Sequence, residues 1–197
     1  MLHHFTQTYA MLDPRFGRDP AMPIELDMGC GFGRFTLALA ARQPDRLILA
    51  NDLNRERLHA IEHRASRRGL VNLELLYANH LWLAAFLFPD ACLRRVHLLC
   101  PDPWPKARHR ARRVVTSDFL TRIARILEPG GILHMATDHG PYEDTLRETA
   151  DGLDCFALAP PETLDDVRDL ETNFERLWHR QGKDVPHLAY RKKGCLP

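Results

Sequence analysis

Strands alternating with helices along the chain predict an α/β fold with a doubly wound, mostly parallel sheet flanked by helices. Three observations carry this prediction. Short apolar runs recur between longer amphipathic stretches, a glycine-rich turn directly follows the first of those runs, and no internal repeat or low-complexity tract breaks the alternation. At 197 residues the chain suits a single domain over residues 1–197, with residues 1–22 as a short N-terminal extension.

The elements follow in order. "IELDM" reads as the first strand, then a Gly-rich turn, then "RFTLALAAR" as a helix. "RLILAND" is the second strand, and the helix over residues 54–68 puts Leu58, Ile61 and Ala65 on one face. "LELLYA" is the third strand, backed by an amphipathic segment over residues 80–88. "RRVHLLC" is the fourth, running into "PDPWPKARHRARR". "TSDFLTRIARILEPGG" reads as a helix capped by Thr116 or Ser117, with Gly130 and Gly131 beyond its end. "ILHMATD" is the fifth strand and "YEDTLRETA" the helix after it. Ligands of such sheets bind beyond the carboxyl ends of the strands, near the switch in strand order.

Composition narrows the partners. The formal net charge of +1 provides no global attraction for polyanions, so any nucleic-acid affinity must come from a local patch. Cys30, Cys92, Cys100, Cys155 and Cys195 are scattered and form no C-x-x-C pair, which suggests neither a disulfide framework nor a zinc site. His3, His4 and the other histidines show no ligand spacing with acids, so no metal is expected. The N-terminus lacks the pattern of a signal peptide, and "HLWLAAFLF" is too short to span a bilayer. A cytoplasmic protein without membrane association is expected; the oligomeric state is left open, a monomer included.

"DMGCGFGRF" offers G-x-G-x-G, through Gly29, Gly31 and Gly33, directly after a strand and opening a helix. Asp27 lies just ahead of it, and Asp52 ends the second strand, where a carboxylate can accept from both hydroxyls of a ribose. An acid beside the loop suits a ligand with a cationic end better than a pyrophosphate. The pattern resembles the first motif of Rossmann-like methyltransferases, which implies S-adenosylmethionine as cofactor. Asn79 and His80, in "YANH", would then lie beside the adenine, Asn79 pairing with its amino group; a plain turn role for Asn79 is an equal alternative.

The loop after the fourth strand is stiffened by its prolines, which hold an acid and an aromatic in place. "PDPWPKARHRARR", "ILEPGGILHMATDHGPY" and "ETNFERLWHRQGKDVPHLAYRKK" together resemble, in the right order, the signatures of the tRNA (guanine-N7)-methyltransferase family. The resemblance implies a class I methyltransferase fold with an antiparallel C-terminal strand. It also implies methyl transfer from S-adenosylmethionine, leaving S-adenosylhomocysteine, to N7 of a variable-loop guanosine in tRNA. By this resemblance Asp102, Asp138 and Glu175 are the catalytic acids, serving the guanine or its developing charge. Lys106, His109, Arg112 and Arg113 would hold RNA phosphate, and Thr172 would join Asp138 and Glu175 around the substrate.

Each of these residues also admits a structural role. Asp138 can cap the helix after the fifth strand, Thr172 and Glu175 have the spacing of a capping box, and Trp104 can be a packing anchor. Arg108 and Arg110 can point away from RNA. The chain departs from the family at Asn79, where an Asp is common, and at Asn51, where a Gly usually precedes the acid. It departs again in its N-terminal region, whose only basic residues are Arg15 and Arg18. Two other functions fit the same residues: a methyltransferase for a different RNA or a small molecule, and a non-catalytic RNA- or cofactor-binding relative.

Overall fold

The structure, a computed structural model, describes residues 1–4 and 11–194. Cys195 lies outside the described residues. One eight-stranded sheet organises the molecule: β1 (Leu2–His4), β2 (Ile24–Met28), β3 (Leu47–Asp52), β4 (Leu73–Tyr77), β5 (Leu93–Leu99), β6 (Leu127–Ala136), β7 (Phe156–Leu158) and β8 (His187–Lys192). Their spatial order is β1-β4-β3-β2-β5-β6-β8-β7. All pairs are parallel except those of β8 with β6 and β7, so the antiparallel C-terminal strand expected from the family pattern is present. The order reverses between β2 and β5, and the crevice at that switch is where the site lies.

The helices are α1 (Arg34–Arg42), α2 (Arg55–Arg67), α3 (His80–Trp82), α4 (Ser117–Ile126), α5 (Gly140–Asp151) and α6 (Asn173–His179). Local chemistry sets their ends. Asn54 accepts from the Arg57 amide to start α2, and Thr116 accepts from the Phe119 amide to start α4. α4 stops at Ile126, earlier than the sequence pattern suggests, and Leu127 already belongs to β6. Pro129 cannot continue a helix, and Gly130 adopts φ 79°. A Cβ on Gly131 would lie 2.9 Å from the Glu128 carbonyl oxygen, so this bend needs a glycine.

Three further differences from the sequence pattern matter for the site. Within residues 1–22, Leu2–His4 form an edge strand on β4, and Arg18 reaches Glu74 there at 2.9 Å. The segment over residues 80–88 is one α-turn that widens into a π-turn over Leu83–Leu87. The basic run forms a 3₁₀ helix over Ala107–Arg112.

The two faces of the sheet alternate with period two. Leu26, Leu49, Val96, Leu133 and Leu188 point to one side, into a core shared with Phe119, Ile123, Tyr142 and Leu146 of α4 and α5. Ile48, Ala50 and Leu75 point to the other, toward Phe35, Leu39, Leu58 and Ile61 of α1 and α2.

Candidate functional site

A cleft of about 360 Å³ opens at the carboxyl ends of β2, β3 and β5, within the size range of small-molecule sites. Its floor is the turn between β2 and α1. Gly29, Gly31 and Gly33 all have positive φ there. A Cβ on Gly29 would meet nothing within 4 Å, so that position faces open cleft. A Cβ on Gly33 would lie 2.4 Å from Ile61, so this glycine lets α1 pack on α2 rather than lining the cleft. Asn51, at the Gly position of the family pattern, braces the turn: its side chain accepts from the Gly29 amide at 3.3 Å and donates to the Ala78 carbonyl at 2.9 Å.

Two carboxylates flank the turn. Asp52 accepts from the Gly31 amide at 2.9 Å and from the Asn54 amide at 2.8 Å, which fixes it at the cleft edge beside Arg57. Asp27 is buried under the turn and accepts from the Thr36 hydroxyl. Burial pushes its pKa up to about 7, against the Thr36 hydrogen bond and with help from the charges of Glu175 and Asp52. The carboxyl groups of Glu175 and Asp52 beside it make this end of the cleft acidic. His80 also lines the cleft, and burial pushes its imidazole toward the neutral form despite Asp52. Asn79 does not line the cleft; its oxygen accepts from the Leu81 amide at 2.8 Å and so caps α3.

The opposite wall is the loop after β5. Cys100 and Trp104 adopt positive φ, 50° and 41°, which non-glycine residues hold only when their surroundings impose it. Asp102 is exposed and lines the cleft between them. The 3₁₀ helix then explains the R-H-x-x-R spacing. Residues three apart eclipse in such a helix, so His109 and Arg112 both meet Trp104. The His109 ring stands edge-on at 5.7 Å, and the Arg112 guanidinium lies 5.0 Å over the indole. Trp104 is thus half-buried at the cleft wall, an anchor for the basic turn rather than part of the central core.

The cations of the run divide into two kinds. Lys106, Arg108, Arg110 and Arg112 are exposed. Arg113 instead braces the loop from inside: its Nε–H donates to the Pro103 carbonyl at 2.8 Å, Nη1 reaches the Thr145 hydroxyl at 3.1 Å, and its guanidinium lies 4.6 Å over Tyr142. Asp138 is exposed after β6 and does not line the cleft; α5 starts after His139, so Asp138 is not its N-cap.

The start of α6 closes the rim. Thr172 and Glu175 form a full capping box, and Thr172, Asn173 and Phe174 line the cleft. Glu175 itself is 1 % exposed and stands behind that wall. Burial works to raise its pKa, but hydrogen bonds from His187 and from the Thr172 amide outweigh it and hold the carboxyl below its ordinary value. Behind Glu175 a row of polar side chains crosses the α1 face of the sheet: His187, His134, His97 and Glu25. The sequence pattern left these four unremarked. Their signal was a His at the same face position in two strands, and His97 and His134 are register partners in β5 and β6. Phe32 and Phe174, both more than half exposed at the cleft, were missed as well.

A family described as "Putative methyltransferase" matches residues 21–188. A tRNA (guanine-N(7)-)-methyltransferase from Alcanivorax borkumensis is 35% identical over 188 residues, covering 93% of this chain and 78% of that protein. One of the same name from Halorhodospira halophila is 34% identical, covering 91% and 78%. Among solved structures, the 16S rRNA methyltransferase KamB superposes with a TM-score of 0.65 at 23% identity, covering 94% of this chain and 95% of that one. The antibiotic-resistance methyltransferase Kmr does so with a TM-score of 0.63 at 19% identity, covering 98% and 96%. These two likenesses establish the class I methyltransferase fold.

Proposed function

The chain belongs to the tRNA (guanine-N7)-methyltransferase family, and from that premise we propose that it methylates N7 of a variable-loop guanosine in tRNA, with S-adenosylmethionine as donor. The observation that carries this reading is the cleft itself. One wall is a glycine turn flanked by Asp27 and Asp52, and the other joins Asp102 to an exposed basic turn anchored on Trp104.

S-adenosylmethionine fits the first wall: Asp27 and Asp52 supply negative charge for its cationic end and acceptors for its ribose hydroxyls, and Gly29 leaves room beside the backbone. When bound, the cofactor supplies an electrophilic methyl group on a sulfonium. His80 borders the same space as a neutral, half-buried ring.

Guanine N7 already carries a lone pair, so the chain needs no base to strip a proton from it. Its work is to hold the purine, exclude water and balance the positive charge that spreads over the ring on alkylation. Asp102 is the acid in position to do so, because it is exposed into the cleft and fixed by flanking prolines. A carboxylate there can accept from N1–H and N2–H of guanine. Arg112 and His109 present a cation and an imidazole around Trp104, a surface for RNA phosphate. Asp138, exposed at the end of β6, adds negative charge farther out, while Glu175 acts through the α6 start that it caps. We place this activity in the cytoplasm; no helix among the described residues is long and apolar enough to cross a membrane.

The reading is tested by incubating the protein at low salt with unmodified tRNA transcript and methyl-labelled cofactor, after cofactor binding has been verified. Label in the tRNA is expected; bound cofactor without label in tRNA overturns the substrate assignment.

A further inference from the structure

The polar row behind α6 is continuous. Glu25 Oε2 lies 2.9 Å from His97 Nε2, and His97 Nδ1 lies 2.9 Å from His134 Nδ1. His134 Nε2 then lies 2.8 Å from His187 Nδ1, and His187 Nε2 lies 2.9 Å from Glu175 Oε1. His97, His134 and Glu25 are fully buried and Glu175 nearly so, while His187 sits at the half-buried end. Phe35 of α1 covers the inner rings, its centroid 4.9 Å from that of His97.

Proton counting decides the charge of this row. Each of the four contacts needs one hydrogen, since two facing lone pairs at such distances repel. Three neutral imidazoles carry only three ring hydrogens. Glu25 is a carboxylate: burial opposes its ionisation, but His97, Arg95 and Arg46 hold its pKa down to about 2. A carboxylate only accepts, so His97 must donate from Nε2. Burial pushes His97 and His134 toward the neutral form. A neutral His97 then accepts at Nδ1, so His134 donates from Nδ1 and accepts at Nε2. His187 is left to donate from Nδ1 to His134 and from Nε2 to Glu175.

We propose that His187 is a histidinium and the positioning residue for Glu175, its charge imposed across the sheet by Glu25 through His97 and His134. The pair His187–Glu175 holds the Thr172 amide, and with it the part of α6 that lines the cleft through Thr172, Asn173 and Phe174. The charged groups around the row agree with this assignment. Arg46 and Arg95 face Glu25 at one end, both also paired with Asp166. The other end faces Asp27, whose carboxyl, with a pKa of about 7, is mostly ionised at pH 7.5, and the Cys100 thiol, which burial pushes up to about 12 and so keeps neutral. The local charges near Glu175 therefore favour keeping a cation at His187.

Nitrogen-15 NMR of the histidine-labelled protein tests this directly, with His187 assigned by the signal lost in His187→Gln. The expected result is two protonated nitrogens on His187 and one on each of His97 and His134 at pH 7.5, a pH at which a free imidazole is mostly neutral. A single protonated nitrogen on His187 at that pH overturns the proposal. Glu25→Gln adds a sharper arm, because an amide can donate. The row can then reverse every tautomer and satisfy all its contacts with three neutral rings. In this variant His187 is expected to keep only the Nε2 hydrogen at pH 7.5; a His187 still doubly protonated contradicts control by Glu25. The unmodified protein answers the first question even if that variant does not fold. The consequence for turnover rests on the proposed tRNA activity: Glu25→Gln is expected to lower kcat/KM for tRNA by about tenfold, the difference between a charged and a neutral hydrogen bond to Glu175. The NMR count uses no turnover, so its failure is distinct from failure of the tRNA reading.

Discussion

The two faces of the central sheet are built to different rules. Toward α4 and α5 the strands present Leu26, Val96, Leu98, Leu133 and Met135, all buried and apolar. Toward α1 and α6 the same strands bury Glu25, Asp27, Arg95, His97 and His134 among the apolar Leu99, Ile132 and Ala136. One residue of register separates the two sets, because side chains alternate along a strand. Stability and chemistry are thereby divided between the two faces. A buried ionisable group costs free energy unless it is paired, so the polar face is tolerable only as a connected network that ends at the cleft.

That contrast can be broken first from the apolar side. Leu26→Ala removes a fully buried side chain from the α4 face and is expected to cost about 2–5 kcal/mol in denaturant unfolding. The fraction that remains folded should keep its specific activity, which turnover per folded molecule checks. On the cleft side, Asp102→Ala should leave unfolding unchanged, since Asp102 is exposed. It should lower kcat for tRNA methylation by about 100-fold, while cofactor affinity measured by calorimetry stays the same.

The polar face also predicts a pH dependence. Asp27 titrates at about 7 in the free protein, and a cationic ligand favours its carboxylate, so binding below that pH must release a proton. Cofactor affinity should therefore rise by up to about tenfold per pH unit toward 7 and level off above it. Asp27→Asn should flatten that slope. The smallest effect belongs to the surface. Arg112→Ala should weaken tRNA binding by about tenfold or less and reduce the slope of log affinity against log salt by about one. Arg113→Ala should instead lower thermal stability, because Arg113 is spent on Pro103, Thr145 and Tyr142.

How much of this was legible in the sequence follows the same divide. Strand–helix alternation gave the order of the main elements, and the antiparallel β8 followed from the family pattern. The glycine turn, Asp27, Asp52 and Asp102 were legible because each sits at the end of a strand, where position in the chain fixes position at the cleft. The sequence fits Thr172 and Glu175 both as substrate residues and as a capping box; the structure shows the box, with Thr172 on the cleft and Glu175 behind it. For Asn79 the sequence fits an adenine contact and a turn role equally, and in the structure it caps α3.

The histidine row was only faintly legible: a His at the same face position in two strands hints at it, but the pairing depends on register among β2, β5, β6 and β8. A lone His in an apolar strand carries no sign of its partner. The 3₁₀ turn was hidden for a related reason: six basic side chains look alike in sequence, and only the turn geometry sends His109 and Arg112 to Trp104 while Arg113 turns inward. The edge strand Leu2–His4 was missed because three residues are too few to show a period.

Methyl delivery from this cleft to N7 of a guanosine in tRNA is the step on which these effects depend. It is tested most directly by treating unmodified transcript with protein and cofactor, then cleaving chemically at N7-alkylated guanosine. A new strand break is expected at one variable-loop guanosine, forming about 100-fold more slowly when Asp102→Ala replaces the unmodified protein. Methylated tRNA that resists this cleavage, or breaks spread over many guanosines, would contradict it.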